Sequence, residues 1–429
     1  MKGIIFTYLL TIGGAAAGFF QPMVGLYVYA LFSSLRPQVM WAFAGPMQGL
    51  SQLVAVPMLV GWALRGFGTW QFGRSRVMVV LLFSYLAWMV ISAIFALNPA
   101  AAWAPIIERT KIVLPFLAGL TLAQTQREAR IVAWIVVVSH GYVSWNLNLQ
   151  YLNGYNAMAL EGYARMDNNT FAIALVATVG PALFLAMGAR YWWMKAIALA
   201  CAALIIHTVL LSFSRGGLLA LIVTGFVAIL VVPKKPTYLA VVVLAALLGF
   251  RFAGAEVMDR FETTFAEEEA RDRSAQSRVD LWQDALGVIQ EHPITGVGPG
   301  NWPLIVSMLG WPRGKQAHSL WLQTGAEIGV PGVLFLLSFY LSGVWRGIQL
   351  IRGGKDSWET ACGCLIVTSL CGFMAAAQFV SIEGLEVPFF TMLVAAMTLK
   401  VSDLQTDPAP DVAALQAQPS AAAYPRLQP

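Results

Sequence analysis

Long apolar segments, separated by short polar ones, run through most of the chain. A helix needs about 20 mostly apolar residues to cross the roughly 30 Å hydrocarbon core of a membrane, where its backbone must hydrogen-bond within the segment. The pattern therefore predicts an all-α integral membrane protein with about twelve transmembrane helices. The predicted spans are residues 4–35, 48–65, 77–97, 109–124, 130–147, 168–188, 192–211, 214–232, 237–250, 318–346, 358–377 and 384–400.

The same pattern divides the chain into four parts. Residues 1–250 contain predicted helices one to nine, and residues 251–317 form the one large loop. Residues 318–400 contain the last three helices. Residues 401–429 are rich in Ala, Pro and Gln, a composition that predicts a disordered cytoplasmic tail.

The large loop contains a helical pattern of its own. Val279, Trp282, Leu286 and Ile289 recur at helical spacing before Pro293 stops the pattern. We expect an amphipathic helix that lies over the membrane bundle.

Basic residues indicate the orientation, because short cytoplasmic loops are enriched in Lys and Arg. They occupy alternate connections and thereby predict that both termini are cytoplasmic, provided that residues 4–35 cross once. The GGAAAGFFQP stretch leaves open whether they cross once or twice. The large loop then lies on the outer face, with the connections near Arg36, Arg109, Arg165 and Arg215.

Composition supports the membrane assignment and narrows the chemistry. Hydrophobic residues make up 58% of the chain and charged residues 11%, against about 25% charged in soluble domains. The net charge of +5 is spread over many loops and does not indicate nucleic-acid binding. No clustering of Asp, Glu and His suggests a metal, and no cofactor is expected. The four cysteines lie in apolar spans and are predicted to be packing residues, and GVGPGNW at 296–302 is predicted to be a turn.

Candidate chemistry comes from cations on the predicted outer face. Arg215 interrupts LSFSRGGLLALIV, where it could bind an anion, reach lipid phosphates or cap the preceding helix. Arg278 on the loop helix could bind the same anion or be a solvated residue. His318, in KQAHSLWLQTGAEIGVPG, could exchange protons near neutral pH. Further candidate anion contacts are Arg109, Lys111, Arg165 and Arg273.

Glu327 is a candidate partner for His318, nine residues further on. At 100° per residue it falls on the opposite side of a straight helix. We therefore do not expect it to orient His318 directly, unless Gly325 allows a kink.

Three motifs in order resemble the O-antigen ligase and polymerase superfamily of bacterial envelope proteins. They are SFSRGG, SRVDLWQDALGVIQEHPITGVGPGNW and AHSLWLQTGAEIGVPG, within roughly residues 165–345. The resemblance implies a type C glycosyltransferase-like fold in the inner membrane. It also implies a polyprenyl (undecaprenyl) diphosphate-linked glycan donor and metal-independent transfer at the periplasmic face. Arg215, Arg278 and His318 match the family's functional positions, whereas Ser319 departs from the asparagine found in many members.

The resemblance gives a leading interpretation and two alternatives. The first is an O-antigen ligase that transfers glycan to a sugar hydroxyl of lipid A-core in lipopolysaccharide biosynthesis, with inversion of the anomeric centre. The second keeps the chemistry and changes the acceptor, as in an O-antigen polymerase or a protein O-oligosaccharyltransferase. The third is a transporter or flippase of the same lipid. The third is disfavoured because the spans contain almost no charge away from their ends and no internal repeat is evident.

Overall fold

The computed structural model describes residues 2–40, 49–233, 273–354, 357–381 and 385–406. In these residues it contains helices and one isolated β-bridge, between Tyr163 and Met166, so the predicted all-α class is confirmed. The helices in chain order are α1 Lys2–Phe20, α2 Pro22–Leu35, α3 Pro37–Met40, α4 Leu50–Leu64, α5 Arg76–Ile94, α6 Pro99–Leu122, α7 Gln126–Leu152, α8 Ala157–Leu160, α9 Asn168–Gly188, α10 Trp192–Leu211, α11 Arg215–Val231, α12 Arg273–Glu291, α13 Trp302–Met308, α14 Leu320–Gly353, α15 Ser357–Ala376 and α16 Glu386–Thr406.

Seven helical segments among the described residues are long and apolar enough to cross a membrane. Three shorter apolar helices, α2, α4 and α11, accompany them. The chain is therefore a multi-pass membrane protein, while the count of twelve spans stays a prediction. The predicted span at 237–250 lies outside the described residues. The seven segments are Gly3–Phe20, Gly73–Ile94, Asn168–Gly188, Trp192–Leu211, Leu320–Gly353, Ser357–Ala376 and Glu386–Gln405.

Residues 4–35, for which the sequence left open one or two crossings, form a hairpin of two helices, α1 and α2. The chain reverses at Gln21, after which Pro22 starts α2. A Cβ added to Gly18 would lie 3.0 Å from the Cα of Gly25, and Ile4 packs against the cluster that contains Phe32. Small residues let the two backbones approach closely. The location of both termini on one side of the membrane, which depends on a single crossing of this segment, stays a prediction.

The loop helix α12 is present, but its buried side is not the predicted one. Leu281, Ala285 and Val288 are buried in a small core with Trp302. Val279 and Leu286 are 37% and 46% exposed. The helix turns Leu281 and Ala285 inward because its partner is the loop's own second half as well as the bundle. Trp282 and Ile289, the other members of the predicted stripe, are half-buried.

The last helix extends beyond the predicted end of the membrane region. α16 continues to Thr406, so the predicted tail boundary at residue 401 is wrong, and the tail from residue 407 lies outside the described part. Lys400 is buried, and its ammonium donates to the carbonyls of Leu120 and Thr121 at 2.8 and 2.9 Å. These bonds satisfy the C-terminal carbonyls of α6 and compensate the burial of the charge.

Two histidines within the apolar helices connect neighbouring helices. The His140 Nδ1 lies 2.9 Å from the Thr178 hydroxyl, which joins α7 to α9. His207 on α10 hydrogen-bonds Asn148 on α7. Cys201, Cys362 and Cys364 are buried free thiols, which fits their predicted packing role, and Cys371 is half-buried.

Candidate active site

A tight turn places Arg215 at the start of α11. Ser212 ends α10, and its hydroxyl accepts from the Ser214 amide at 3.1 Å. The Ser214 hydroxyl then caps α11 by accepting from the Gly217 amide at 3.1 Å. Serine favours these positions because its hydroxyl satisfies a free backbone donor. Arg215 is consequently the first residue of α11, half-buried at the mouth of the helix.

The two glycines after Arg215 allow neighbouring parts of the protein to pack closely against them. A Cβ on Gly216 would lie 2.8 Å from the Cβ of Phe379, and one on Gly217 would lie 3.0 Å from Ala172 on α9. The glycines therefore let Phe379 and α9 pack against the first turn of α11.

Phe379 also connects Arg215 to the loop helix. Its ring packs 6.3 Å from that of Trp282, one turn after Arg278 on α12. Burial lowers the pKa of the half-buried Arg278, and the Arg215 charge lowers it further, while the Asp167 carboxylate acts in the opposite direction. The structure thus brings Arg215 and Arg278 into electrostatic range of each other, although 63 positions separate them in the sequence.

Hydrogen bonds of the next two residues hold the backbone that follows His318. The histidine's own φ of 53° lies in the left-handed region, an unusual conformation for a residue with a side chain. The Ser319 amide donates to the Ser381 hydroxyl at 3.2 Å, and the Leu320 amide donates to the Ala377 carbonyl at 2.8 Å. The segment after α15 therefore holds the backbone next to His318 in place.

The imidazole of His318 lies in a positive environment. Burial lowers its pKa, the Arg278 and Lys315 charges lower it further, and Asp167 partly compensates, which gives a value of about 4. A cation disfavours a second positive charge nearby. His318 is consequently neutral at physiological pH. No described residue hydrogen-bonds its ring.

Glu327 organises the loop that precedes His318. Its carboxylate accepts from the Gly300 amide at 2.8 Å and from the Trp302 amide at 3.3 Å. The Gln323 amide also donates to it at 3.4 Å, while the Gln323 carbonyl accepts from the Ala317 amide at 3.3 Å. Glu327 thus acts on His318 indirectly, through Gln323 and the backbone before the histidine.

A kink in α14 completes this arrangement, three and four residues after Gly325, the position at which the sequence allowed for one. The backbone is non-helical at Ile328 and Gly329, where Gly329 has a φ of 73°. The kink frees carbonyls of α14, and the Val297 and Gly298 amides donate to those of Ala326 and Glu327 at 2.9 and 2.7 Å. The predicted turn at 296–302 is present and is anchored to the kink.

Asp167 is a charged neighbour that the sequence analysis missed. It caps α9 by accepting from the Thr170 amide at 2.8 Å. The adjacent Asn168 side chain donates to the Ser212 carbonyl at 2.9 Å, which joins this helix start to the turn before Arg215. The only signal in the sequence was a capping pattern, DNNT, which reports a helix start and not a neighbour of His318.

Three helix N-termini therefore meet at the cluster of Arg215, Arg278 and His318. They belong to α9, α11 and α14, which are 21, 17 and 34 residues long. The free amides and the dipole of a helix N-terminus favour a negative charge nearby. No hydrogen bond or ion pair to a described residue occupies the guanidinium of Arg215 or Arg278. The cluster has the properties of an anion-binding site beside a neutral imidazole.

The additional anion candidates have other surroundings where the structure describes their side chains. Arg109 is buried and lies within electrostatic range of Tyr340 in the bundle. Lys111 forms a surface ion pair with Glu108 at 2.6 Å. Arg165 is exposed at the tip of a turn in which Ala164 accepts from Arg36 at 3.1 Å. Arg273 starts α12, and its side chain lies outside the described part.

Comparison with known proteins identifies the region that contains the cluster. Residues 199–337 match the model of the O-antigen ligase family. No curated protein matches the chain significantly. The matched region includes Arg215, Arg278 and His318, together with Glu327 and the kink in α14. Residues 199–337 are therefore similar to the O-antigen ligase family.

Proposed function

We propose that the chain is a metal-independent O-antigen ligase of the bacterial inner membrane. It transfers glycan from a polyprenyl diphosphate carrier to a sugar hydroxyl of lipid A-core at the periplasmic face. The observation that carries this proposal is the grouping of a neutral histidine with two guanidinium groups that have no hydrogen-bond or ion-pair partner among the described residues. A lipid-linked glycan is a substrate consistent with a membrane protein of this family.

Arg215 and Arg278 bind the diphosphate of the donor. When the glycan leaves, negative charge develops on the phosphate oxygens, and a planar guanidinium can engage two such oxygens at once. The amides at the start of α11 add further donors. Groups that are already oriented toward a developing charge stabilise the transition state without reorganisation.

His318 acts as the general base. Its neutral ring takes the proton of the acceptor hydroxyl while the hydroxyl oxygen bonds to the anomeric carbon. The bond from that carbon to the diphosphate oxygen breaks, and its electron pair leaves with the diphosphate. This single displacement inverts the anomeric centre. A positioned base contributes on the order of 10²–10⁴ in rate.

Donor binding strengthens this base. With a pKa of about 4, His318 is neutral but weakly basic, partly because Arg278 lies near it. A diphosphate on Arg278 offsets that positive charge and raises the pKa of the imidazole toward its ordinary value of about 6.5. His318 therefore becomes a better proton acceptor when the donor is in place, which couples activation of the acceptor to donor binding.

Replacing His318 with alanine tests the base. We expect His318→Ala to remain folded and membrane-inserted and to lose transfer by on the order of 10²-fold or more. His292→Ala is the matched control, because His292 is exposed in the same loop. The measurement is transfer of glycan from purified lipid-linked donor to lipid A-core. Near wild-type transfer by the His318 variant would exclude the general-base role.

The acceptor is tested in cells by deleting the gene and resolving the lipopolysaccharide by size. Loss of every long chain with an intact core supports ligation. Core carrying a single repeat unit would indicate a polymerase, and an unchanged ladder would indicate a protein or another glycan as acceptor. Either of the last two results would overturn the lipid A-core assignment and keep the transferase chemistry.

A further inference from the structure

A long apolar groove runs along α7 on the surface of the bundle. It has a volume of about 660 Å³ and is formed by α2, α7 and the start of α10. Its α7 residues form one stripe of the helix, spaced by three or four positions. The groove is lined by Leu31, Leu35, Arg127, Arg130, Ile131, Trp134, Ile135, Val138, Ser139, Tyr142 and Met194.

One end of this groove is positively charged. Arg127 and Arg130 lie in the first two turns of α7, which add the positive end of a 27-residue helix. The Arg127 side chain makes no hydrogen bond or ion pair with a described residue. Glu128, the carboxylate in the same turn, accepts from the Gln124 and Thr125 amides at 2.7 and 2.8 Å and caps the helix.

Arg130 is fixed at the groove's edge. Its guanidinium lies over the Trp358 ring, 5.0 Å from the ring centre. Its Nε is buried and has no hydrogen-bond partner among the described residues. A buried donor without a partner is costly, which favours an acceptor supplied by a ligand.

The groove also has the length of a lipid chain. From Arg127 to Tyr142 it extends for 15 residues, about 22 Å at the rise of an α-helix. One leaflet of a bilayer contains about 15 Å of hydrocarbon, half of the full core. An acyl chain can therefore lie along the groove while its head group stays at the basic end.

The basic end lies opposite the candidate active site. α7 leads away from Arg127 to Leu152, and α8, which follows it, hydrogen-bonds the end of α10 through the cap residue Asn156 and the Leu211 carbonyl at 3.0 Å. Leu211 immediately precedes the turn to Arg215. A head group at Arg127 is therefore separated from a diphosphate at Arg215 by the length of α7.

We propose that this groove binds an anionic phospholipid of the leaflet opposite the active site. Arg127 and Arg130 hold the phosphate, and the apolar stripe of α7 from Ile131 to Tyr142 holds an acyl chain. Paired basic residues beside an apolar groove between transmembrane helices are the features that select anionic head groups.

Native mass spectrometry of the purified full-length protein tests this site with phosphatidylglycerol and phosphatidylcholine as probes. We expect the wild type to retain phosphatidylglycerol preferentially. Arg127→Gln should weaken its binding by about fivefold, the contribution of one basic residue near a lipid surface. Arg76→Gln removes the same charge from an exposed position outside the groove and should leave binding unchanged. Equal retention of the two lipids, or equal effects of the two substitutions, would overturn the proposal.

A second pair of variants tests the apolar part. Val138→Trp fills the groove at a residue that is 43% exposed, and Val60→Trp makes the same change at a residue of α4 that is 44% exposed. Only the first should reduce phosphatidylglycerol binding. Unchanged binding by the Val138 variant would overturn the groove. Displacement of phosphatidylglycerol by a polyprenyl phosphate, with no dependence on Arg127, would assign the groove to the carrier lipid and overturn the phospholipid.

Discussion

At the scale of single residues, the candidate site depends on how closely charges of the same sign are held. The charges of Arg278 and Lys315 act on His318, and the charge of Arg215 acts on Arg278. The Asp167 carboxylate acts on both His318 and Arg278. Such a cluster repels itself without a bound anion. The site is therefore electrostatically prepared for the donor before the donor arrives.

Lysine in place of either arginine tests whether the site needs a guanidinium or only a charge. We expect Arg215→Lys and Arg278→Lys each to reduce kcat on the order of 10²-fold, because an ammonium cannot engage two phosphate oxygens in one plane. Arg313→Lys, at an exposed position of the same loop, should be neutral. Active lysine variants at both positions would contradict the diphosphate role.

The pH dependence of transfer reports the charges around His318. The base acts when it is neutral, so kcat/KM of the wild type should rise as the pH increases through the histidine pKa of about 4. Lys315→Gln removes a cation that lowers this pKa, so the acid limb should move to higher pH. Arg313→Gln serves as the control. An acid limb that stays in place or moves to lower pH would be inconsistent with His318 as the base.

At the scale of helices, the kink in α14 determines where the glycine-rich turn of the loop lies. An uninterrupted helix would bond its own carbonyls at Ala326 and Glu327, and the amides of Val297 and Gly298 would lose their acceptors. Gly329 makes the kink accessible because its φ is positive. The helix break and the glycine-rich turn therefore form one structural unit.

Removing the charge of Glu327 should loosen this unit. Glu327→Gln weakens the bonds from the Gly300 and Trp302 amides and should destabilise the fold by about 1.5–3 kcal/mol, the range for hydrogen bonds to a charged group. Transfer should fall as well, because the Ala317 backbone is positioned through Gln323. Thermal unfolding and transfer are the measurements, with exposed Glu291→Gln as the control. A variant with unchanged stability would show that the carboxylate does not hold the loop.

At the scale of the whole molecule, the site is assembled by segments that are far apart in the chain. The turn before α11, the loop helix and the connection after α15 meet at Phe379, which contacts both Gly216 and Trp282. In the described part of the chain, no group of three or more His, Cys, Asp or Glu side chains is arranged to hold a metal ion. The cations of the cluster are protein side chains.

Removing metal ions with a chelator tests whether the positive side chains of the cluster are sufficient for transfer. We expect transfer in excess EDTA to equal that in its absence, because the arginines supply the positive charge that a metal would otherwise provide. Purified protein, donor and acceptor are assayed with and without chelator. A loss of transfer that magnesium or manganese restores would show that carboxylates outside the cluster bind a metal in the reaction.

The sequence alone determined the properties that arise locally along the chain. Apolar length predicted the membrane helices, and the glycine-rich stretch at residues 296–302 was predicted to be a turn. The three motifs also led to Arg215, Arg278 and His318, since each lies in a stretch with its own recognisable pattern. Helix formation and capping depend on neighbouring residues, so a linear pattern contains this information.

The tertiary structure decided which sides of these elements meet. In the tertiary structure, residues 4–35 fold into a hairpin. Leu281 and Ala285 of α12 are buried, whereas Val279 and Leu286 are exposed. The tertiary structure also brought Asp167 beside His318 and directed Glu327 to the loop. Helical periodicity reports that a face is apolar, but the face that becomes buried depends on partners tens of residues or more away, and those contacts have no local signature.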